Sequence, residues 1–352
     1  MNSTLPFLYM FYFTIGFGSL VSISSLHWVI MWAGLEVNLI GFLPILAYQS
    51  KISETESSVK YFIVQALGSS LLILGSVYLY SSFYTWDISV PGKNSAFYFF
   101  IVVGLLIKLG LFPFHYWLPS VMAGLPWFSC LLLATWQKLA PLFLLSTLLQ
   151  SCILDSVILL VCLFCVGSSI LGGLGGINQT QIRALIAYSS IGHLGWLVFG
   201  AIHSSWVMKV YFIFYVFITF SLFISFLGSN ANNMKDLDSM VDHIYVKIMT
   251  MIILLSLGGL PPLLGFIPKV AIISSCGWGW STVNYLMFII ISGSVISLFY
   301  YLHLFYIVVM SSIVKDKLLA ISHYLDSFLL SVLVIFNLMG GVTFIMVTCL
   351  MH

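Results

Sequence analysis

The 352-residue chain is 61% hydrophobic and 6% charged, with a formal net charge of +2, whereas an ordinary soluble domain is roughly a quarter charged. That composition excludes a water-soluble fold, and the scattered cations form no stripe that would track a nucleic-acid backbone. Apolar stretches of about 20 residues recur along the whole length, each able to cross a hydrocarbon core of roughly 30 Å, and the period-two alternation of a membrane β-barrel does not dominate anywhere.

The reading is an all-α polytopic membrane protein, a single domain over residues 1–352, with about eleven transmembrane helices. In chain order the spans fall at about 5–24, 27–48, 58–81, 95–120, 126–149, 152–175, 180–202, 206–228, 245–275, 281–310 and 325–349. No lysine or arginine precedes Lys51, so the start has neither the basic segment of a secretory signal nor the arginines of a transit peptide. The first helix is therefore expected to be retained. Lys51, Lys60, Arg183, Lys235, Lys247, Lys315 and Lys317 fall on the side of the N-terminus, and Lys93 and Lys209 on the other. The positive-inside rule then puts the N-terminus in the cytoplasm or matrix and the C-terminus across the membrane. The polar stretch from Gly228 to Lys247 reads as a solvated linker.

The fourth span contains Leu109-Gly110-Leu111-Phe112-Pro113 and the ninth Leu257-Gly258-Gly259-Leu260-Pro261, so L-G-x-x-P occurs twice, with Lys108 just before the first and Lys269 soon after the second. Two repeats of five spans, about 5–149 and 152–310, would each have a broken fourth member. A C-terminal helix at about 325–349 follows them. An odd number of spans inverts one repeat against the other, an arrangement in which interrupted helices mark a transport site. Glycine and proline remove regular backbone hydrogen bonds, and the freed carbonyls are expected to hold a cation or ordered water.

Four ionisable residues stand inside apolar runs: Glu36, Lys108, Lys138 and Lys269. Each costs on the order of 3 kcal/mol at the bilayer centre, so the set calls for a function. If Glu36 lies within roughly 7 Å of Lys108, their attraction is about 2.4 kcal/mol at an effective dielectric near 20, enough to make proton retention depend on whether the pair is closed. A released proton would pass toward Lys138 and then Lys269. His193, with His115, Tyr188, Ser189 and Ser190, supplies candidate relay groups between helices. Cys162 and Cys165 form C-x-x-C, but within an apolar span they read as small hydrophobes, and no metal site is expected.

The segments "MWAGLEVNLIGFLPIL", "IKLGLFPFHYWLPSVMAGLPW", "TWQKLAPLFLL", "GGINQTQIRALIAYSSIGHLGW" and "LSLGGLPPLLGFIPK" together resemble the subunit 2 family of NADH dehydrogenase, respiratory complex I, in its short animal form. The resemblance implies an antiporter-like fold and a proton-translocating membrane-arm subunit. It further implies that Glu36 and Lys108 are the family's ion pair, Lys138 its central proton carrier, Lys269 the lysine of the second broken helix, and His193 a link between half-channels. NADH, FMN, iron–sulfur clusters and ubiquinone would be bound by other subunits, with no cofactor on this chain. Its partners would be neighbouring antiporter-like and other membrane-arm subunits together with phospholipids, in the mitochondrial inner membrane with the N-terminus in the matrix. Two alternatives stand beside this reading: a free-standing cation/proton antiporter, and a structural spacer that carries no protons.

Overall fold

The computed structural model describes residues 7–48, 51–87, 95–151, 154–229, 233–234, 244–261, 263–276, 281–314, 331–338 and 340. Lys93, Lys235, Lys315, Lys317, Cys152, Cys349, most of the polar stretch 228–247 and most of the final span lie outside them. The chain divides into two compact units, Met1–Cys165 and Val166–His352.

The first unit contains α1 (Leu8–Ser24), α2 (Trp28–Leu46), α3 (Ile52–Phe83), α4 (Ser95–Leu109), α5 (Trp117–Gly124), α6 (Trp127–Ala134) and α7 (Trp136–Ser151). α8 (Asp155–Ile177) runs across the boundary. The second unit continues with α9 (Ile182–His203), α10 (Ser205–Ser229), α11 (Ile244–Gly258), α12 (Phe266–Ser275) and α13 (Ser281–Val314), and residues 331–338 are also helical. Among the described residues there is no strand, only the isolated bridges His27↔Asp87 and Gln181↔Asn233. Seven helices are long and apolar enough to cross a membrane, and four shorter apolar helices accompany them.

Small residues set the closest helix contacts, as expected where lipid removes the hydrophobic drive between helices. A Cβ on Gly18 would come 2.6 Å from the backbone nitrogen of Asn38, and one on Gly34 would come 2.7 Å from that of Ser22, so α1 and α2 touch backbone to backbone. In the second unit a Cβ on Gly172 would lie 2.6 Å from the nitrogen of Gly192, which brings α8 equally close to α9. A short tie fixes the start of α2. The Trp28 N–H donates to the Trp86 carbonyl at 3.0 Å, and His27 Nδ1 lies 2.8 Å from Asp87 Oδ1.

α3 begins at Ile52, six positions before the expected span. Its first turns place Glu54 and Ser57 against protein, each 2% exposed, so the helix continues beyond its apolar part on a polar but buried face. At 1.5 Å per residue its 32 residues extend about 48 Å, well past a hydrocarbon core of roughly 30 Å.

Both L-G-x-x-P segments end a helix in the same way. α4 stops at Leu109 and Gly110 follows at φ +78°; α11 stops at Gly258 and Gly259 follows at φ +79°. A residue with a Cβ is strained there by roughly 1–2 kcal/mol, which is why glycine occupies both positions. The ladder closes with widened bonds, Leu111 N–H to the Leu106 carbonyl at 3.1 Å and Leu260 N–H to the Leu255 carbonyl at 3.5 Å. Helix resumes at Trp117 and at Phe266.

Candidate functional site

In the first unit α2, α3, α4 and α7 bring polar groups together within an apolar bundle. Lys108 occupies the last turn of α4, where the negative end of the helix dipole favours a cation. Its Nζ lies 3.9 Å from Glu36 Oε1 of α2, with the lysine side chain 3% exposed and the glutamate 25%. Glu36 Oε1 accepts no hydrogen bond among the described residues. The pair is thus an electrostatic contact looser than a formed salt-bridge hydrogen bond.

Two carbonyls at the end of α4 accept from side chains, that of Ile107 in addition to the Gly110 N–H at 3.2 Å. Trp117 Nε1 donates to the Ile107 carbonyl at 3.2 Å, and Gln65 Nε2 of α3 donates to the Lys108 carbonyl at 3.3 Å. Freed carbonyls able to hold a cation or ordered water were expected here, and two neutral donors reach them. Gly68 permits the approach of α3, since a Cβ there would meet Lys108 Cγ at 2.9 Å.

Lys138 lies in the first turn of α7 and is 3% exposed. It lines one small cavity together with Lys108, Tyr61, Gln65, Trp117 and Gln137. The neighbouring Gln137 donates to Asn38 Oδ1 at 3.2 Å, which joins α7 to α2 two positions beyond Glu36. Glu36, Lys108 and Lys138 therefore belong to one cluster of this unit. His115 is buried in the turn before α5, its Nδ1 3.2 Å from the Pro113 carbonyl.

In the second unit Lys269 is 8% exposed on α12, and its Nζ donates to the Gly258 carbonyl at 2.8 Å. Here the lysine itself caps the interrupted helix, the task that Gln65 and Trp117 perform at α4. A Cβ on Gly259 would sit 2.6 Å from this Nζ, so the glycine serves both the backbone and the cap. His193 of α9 is half-buried, with Nδ1 2.9 Å from Tyr211 Oη and its ring 5.3 Å from that of Tyr215. Lys269 and His193 line a common cavity with Ser189, Ser297, Tyr300 and Tyr301. Ser189 and Ser190 donate to carbonyls of their own helix, those of Ile186 and Ala187, each at 2.7 Å. Tyr188 packs its ring on Gly175.

Gln65, Trp117, Asn38 and Gln137 in the first unit, and Tyr211, Tyr215, Tyr300 and Tyr301 in the second, were not singled out from sequence. Gln65 left a signal, an amide in the middle of the apolar run "YFIVQALGS". The tyrosines left none, because aromatic residues are abundant throughout the chain. Cys162 and Cys165 are both buried, and no group of His, Cys, Asp or Glu among the described residues could hold a metal ion.

Comparison with known proteins agrees with this architecture. The transmembrane family of NADH:quinone oxidoreductases and Mrp antiporters matches residues 25–297. NADH-ubiquinone oxidoreductase chain 2 of Lumbricus terrestris is 36% identical over 296 residues, 83% of each chain. The protein of that name from Anopheles gambiae is 36% identical over 338 residues, 94% of each chain. Among solved structures, respiratory complex I from Thermus thermophilus contains a chain with TM-score 0.80 at 22% identity, covering 97% of this chain and 79% of that one. An Mrp complex from Dietzia sp. contains one with TM-score 0.73 at 15% identity, covering 84% and 59%. The structural likenesses concern the fold, whereas the sequence matches extend over most of the chain at 36% identity. The chain therefore belongs to the NADH:quinone oxidoreductase/Mrp antiporter transmembrane family, among the NADH-ubiquinone oxidoreductase chain 2 proteins.

Proposed function

We propose that the chain is a proton-translocating membrane-arm subunit of an NADH:ubiquinone oxidoreductase, moving protons through Glu36, Lys108, Lys138, His193 and Lys269 while quinone reduction on other subunits supplies the energy. The observation that carries this reading is the loose Glu36–Lys108 pair at 3.9 Å, set at the cut end of α4 beside a cavity that also takes Lys138. A firmly hydrogen-bonded pair would hold its proton. One at this distance passes between closed and open states by side-chain rotation, and each state has a different proton affinity. Moving one charge against the membrane potential costs about 2.3 kcal/mol per 100 mV, so the energy must arrive through neighbouring antiporter-like subunits.

The name shared by these animal relatives supports placing the chain among the subunits of an NADH-ubiquinone oxidoreductase; in this reading it lies in the mitochondrial inner membrane beside other membrane-arm subunits and phospholipids. NADH, FMN, iron–sulfur clusters and ubiquinone are assigned to other chains. The seven long apolar helices support a polytopic arrangement; in this reading α4 with α5, and α11 with α12, each make one interrupted crossing, and α1 and a span at about 325–349 bring the crossings to eleven. The proposal retains two five-span repeats and an N-terminus in the matrix, as the distribution of cations suggests.

The test is gentle isolation of the native particle that contains the chain, followed by assay in sealed vesicles. NADH-driven quinone reduction with proton uptake is the expected result. Cation-driven proton exchange by a particle without NADH oxidation would overturn it in favour of the antiporter branch of the same family.

A further inference from the structure

The cavity of the second unit has a wall that the proton path above leaves idle. Tyr300 and Tyr301 occupy consecutive positions on α13, are 2% and 1% exposed, and hold their ring centroids 4.6 Å apart. Both line the space that also takes Lys269 and His193. A buried tyrosine ordinarily finds a partner for its hydroxyl, because leaving the group unpaired costs about 1–3 kcal/mol. Neither Oη completes a hydrogen bond of good geometry among the described residues, although Ser189 lies in range of Tyr301, Ser297 in range of Tyr300, and the two phenols in range of each other.

The serines around them are committed differently. Ser169 donates its hydrogen to the Val166 carbonyl at 2.8 Å, Ser189 to Ile186 at 2.7 Å, Ser294 to Ile291 at 2.7 Å and Ser297 to Ser294 at 2.7 Å. All four therefore meet the cavity as acceptors only. Among the cavity's described hydroxyl groups, the two phenols alone keep their hydrogens available to exchange. Packing accounts for the rings but not for the hydroxyls. Tyr300 fills a slot left by Gly176, where a Cβ would stand 2.7 Å from its Cε1, and phenylalanine would fill that slot equally well at a lower desolvation cost.

We propose that Tyr300 and Tyr301 relay protons between His193 and Lys269 within the second unit, an inference that rests on the proton-translocating reading. In each hop a proton bonds to an Oη lone pair as the hydroxyl's own hydrogen leaves for the next acceptor. One O–H bond forms and one breaks on the same oxygen, the phenol ends neutral, and no electron moves. Rotation about the C–O bond returns the hydroxyl to its starting orientation.

The test uses the assembled complex carrying Y300F, Y301F or both, in sealed vesicles, with proton uptake and NADH oxidation measured together. The relay predicts that the phenylalanine variants assemble and keep NADH oxidation in the presence of an uncoupler. Proton transfer through this half should slow by on the order of 10²-fold, read as fewer protons taken up per NADH oxidised. The single variants decide the matter if the double one does not assemble. A purely structural role would spare Y301F and damage Y301A, and that pattern overturns the proposal. K269M run in parallel separates two kinds of failure. If K269M lowers the ratio and the phenylalanine variants do not, the relay is wrong and the function stands; if K269M also leaves it unchanged, proton translocation by this half falls with it.

Discussion

At 3.9 Å, Glu36 and Lys108 attract by about 4 kcal/mol at an effective dielectric near 20, against about 2.4 kcal/mol for the 7 Å assumed from sequence. Substituting Glu36→Gln removes the charge while keeping the shape, leaving Lys108 without its counter-ion. Proton uptake per NADH oxidised should fall while the complex still assembles, measured by vesicle acidification alongside native electrophoresis; unchanged coupling would remove the pair from the path. Gln65→Leu and Trp117→Phe each strip one donor from the end of α4. Each should lower the thermal stability of the complex by about 1 kcal/mol, the net worth of one hydrogen bond, and a thermal-shift series checks it. The four ionisable positions were legible in the sequence because charge is rare in apolar runs. Gln65 and Trp117 were not, because each donates to a backbone carbonyl, 43 and 10 positions away respectively, and a sequence does not display which carbonyls a helix end releases.

The two L-G-x-x-P segments announced where the helices would stop, since glycine followed by proline ends the ladder. What caps each end was hidden, and the two ends differ: neutral side chains at α4, a lysine at α11. Gly110→Ala and Gly259→Ala should accordingly behave differently. Both incur the left-handed backbone strain of roughly 1–2 kcal/mol, but only Gly259→Ala also drives a Cβ toward Lys269 Nζ. Gly259→Ala is expected to impair proton uptake well beyond its effect on stability, whereas Gly110→Ala should affect the two in proportion; side-by-side melting and coupling assays distinguish these outcomes. The start of α3 escaped the sequence reading for a separate reason. Its first turns bury Glu54 and Ser57 against protein rather than lipid, and a hydropathy window scores such residues as loop.

For the molecule in its membrane, the distribution of lysines and Arg183 yields a sidedness that can be measured. Glu56 and Asp87 stand near opposite ends of α3. Cysteines introduced at these positions should react with an impermeant thiol reagent from opposite sides, position 56 from the matrix and position 87 from the intermembrane space. The same side for both would overturn the topology. Lys138→Met should lower proton uptake per NADH, and Lys138→Arg should keep the complex assembled with its charge intact; equal coupling in both would favour the spacer reading. An all-helical membrane chain was readable from apolar runs alone, whereas the grouping of Glu36, Lys108 and Lys138 in one cluster depends on how α2, α4 and α7 pack. The backbone contact between α1 and α2 also bears on how quickly such a machine can run. With Gly18 and Gly34 seated on the opposing backbones, α2 cannot slide along α1 without lifting away from it. In the proposed role, sliding of α2 along α1 is thereby disfavoured as the step that opens the Glu36–Lys108 pair, which leaves rotation of the Glu36 side chain or joint movement of the two helices. Under the proposed proton-translocating role, the slow step of the cycle would then lie outside the α1–α2 contact.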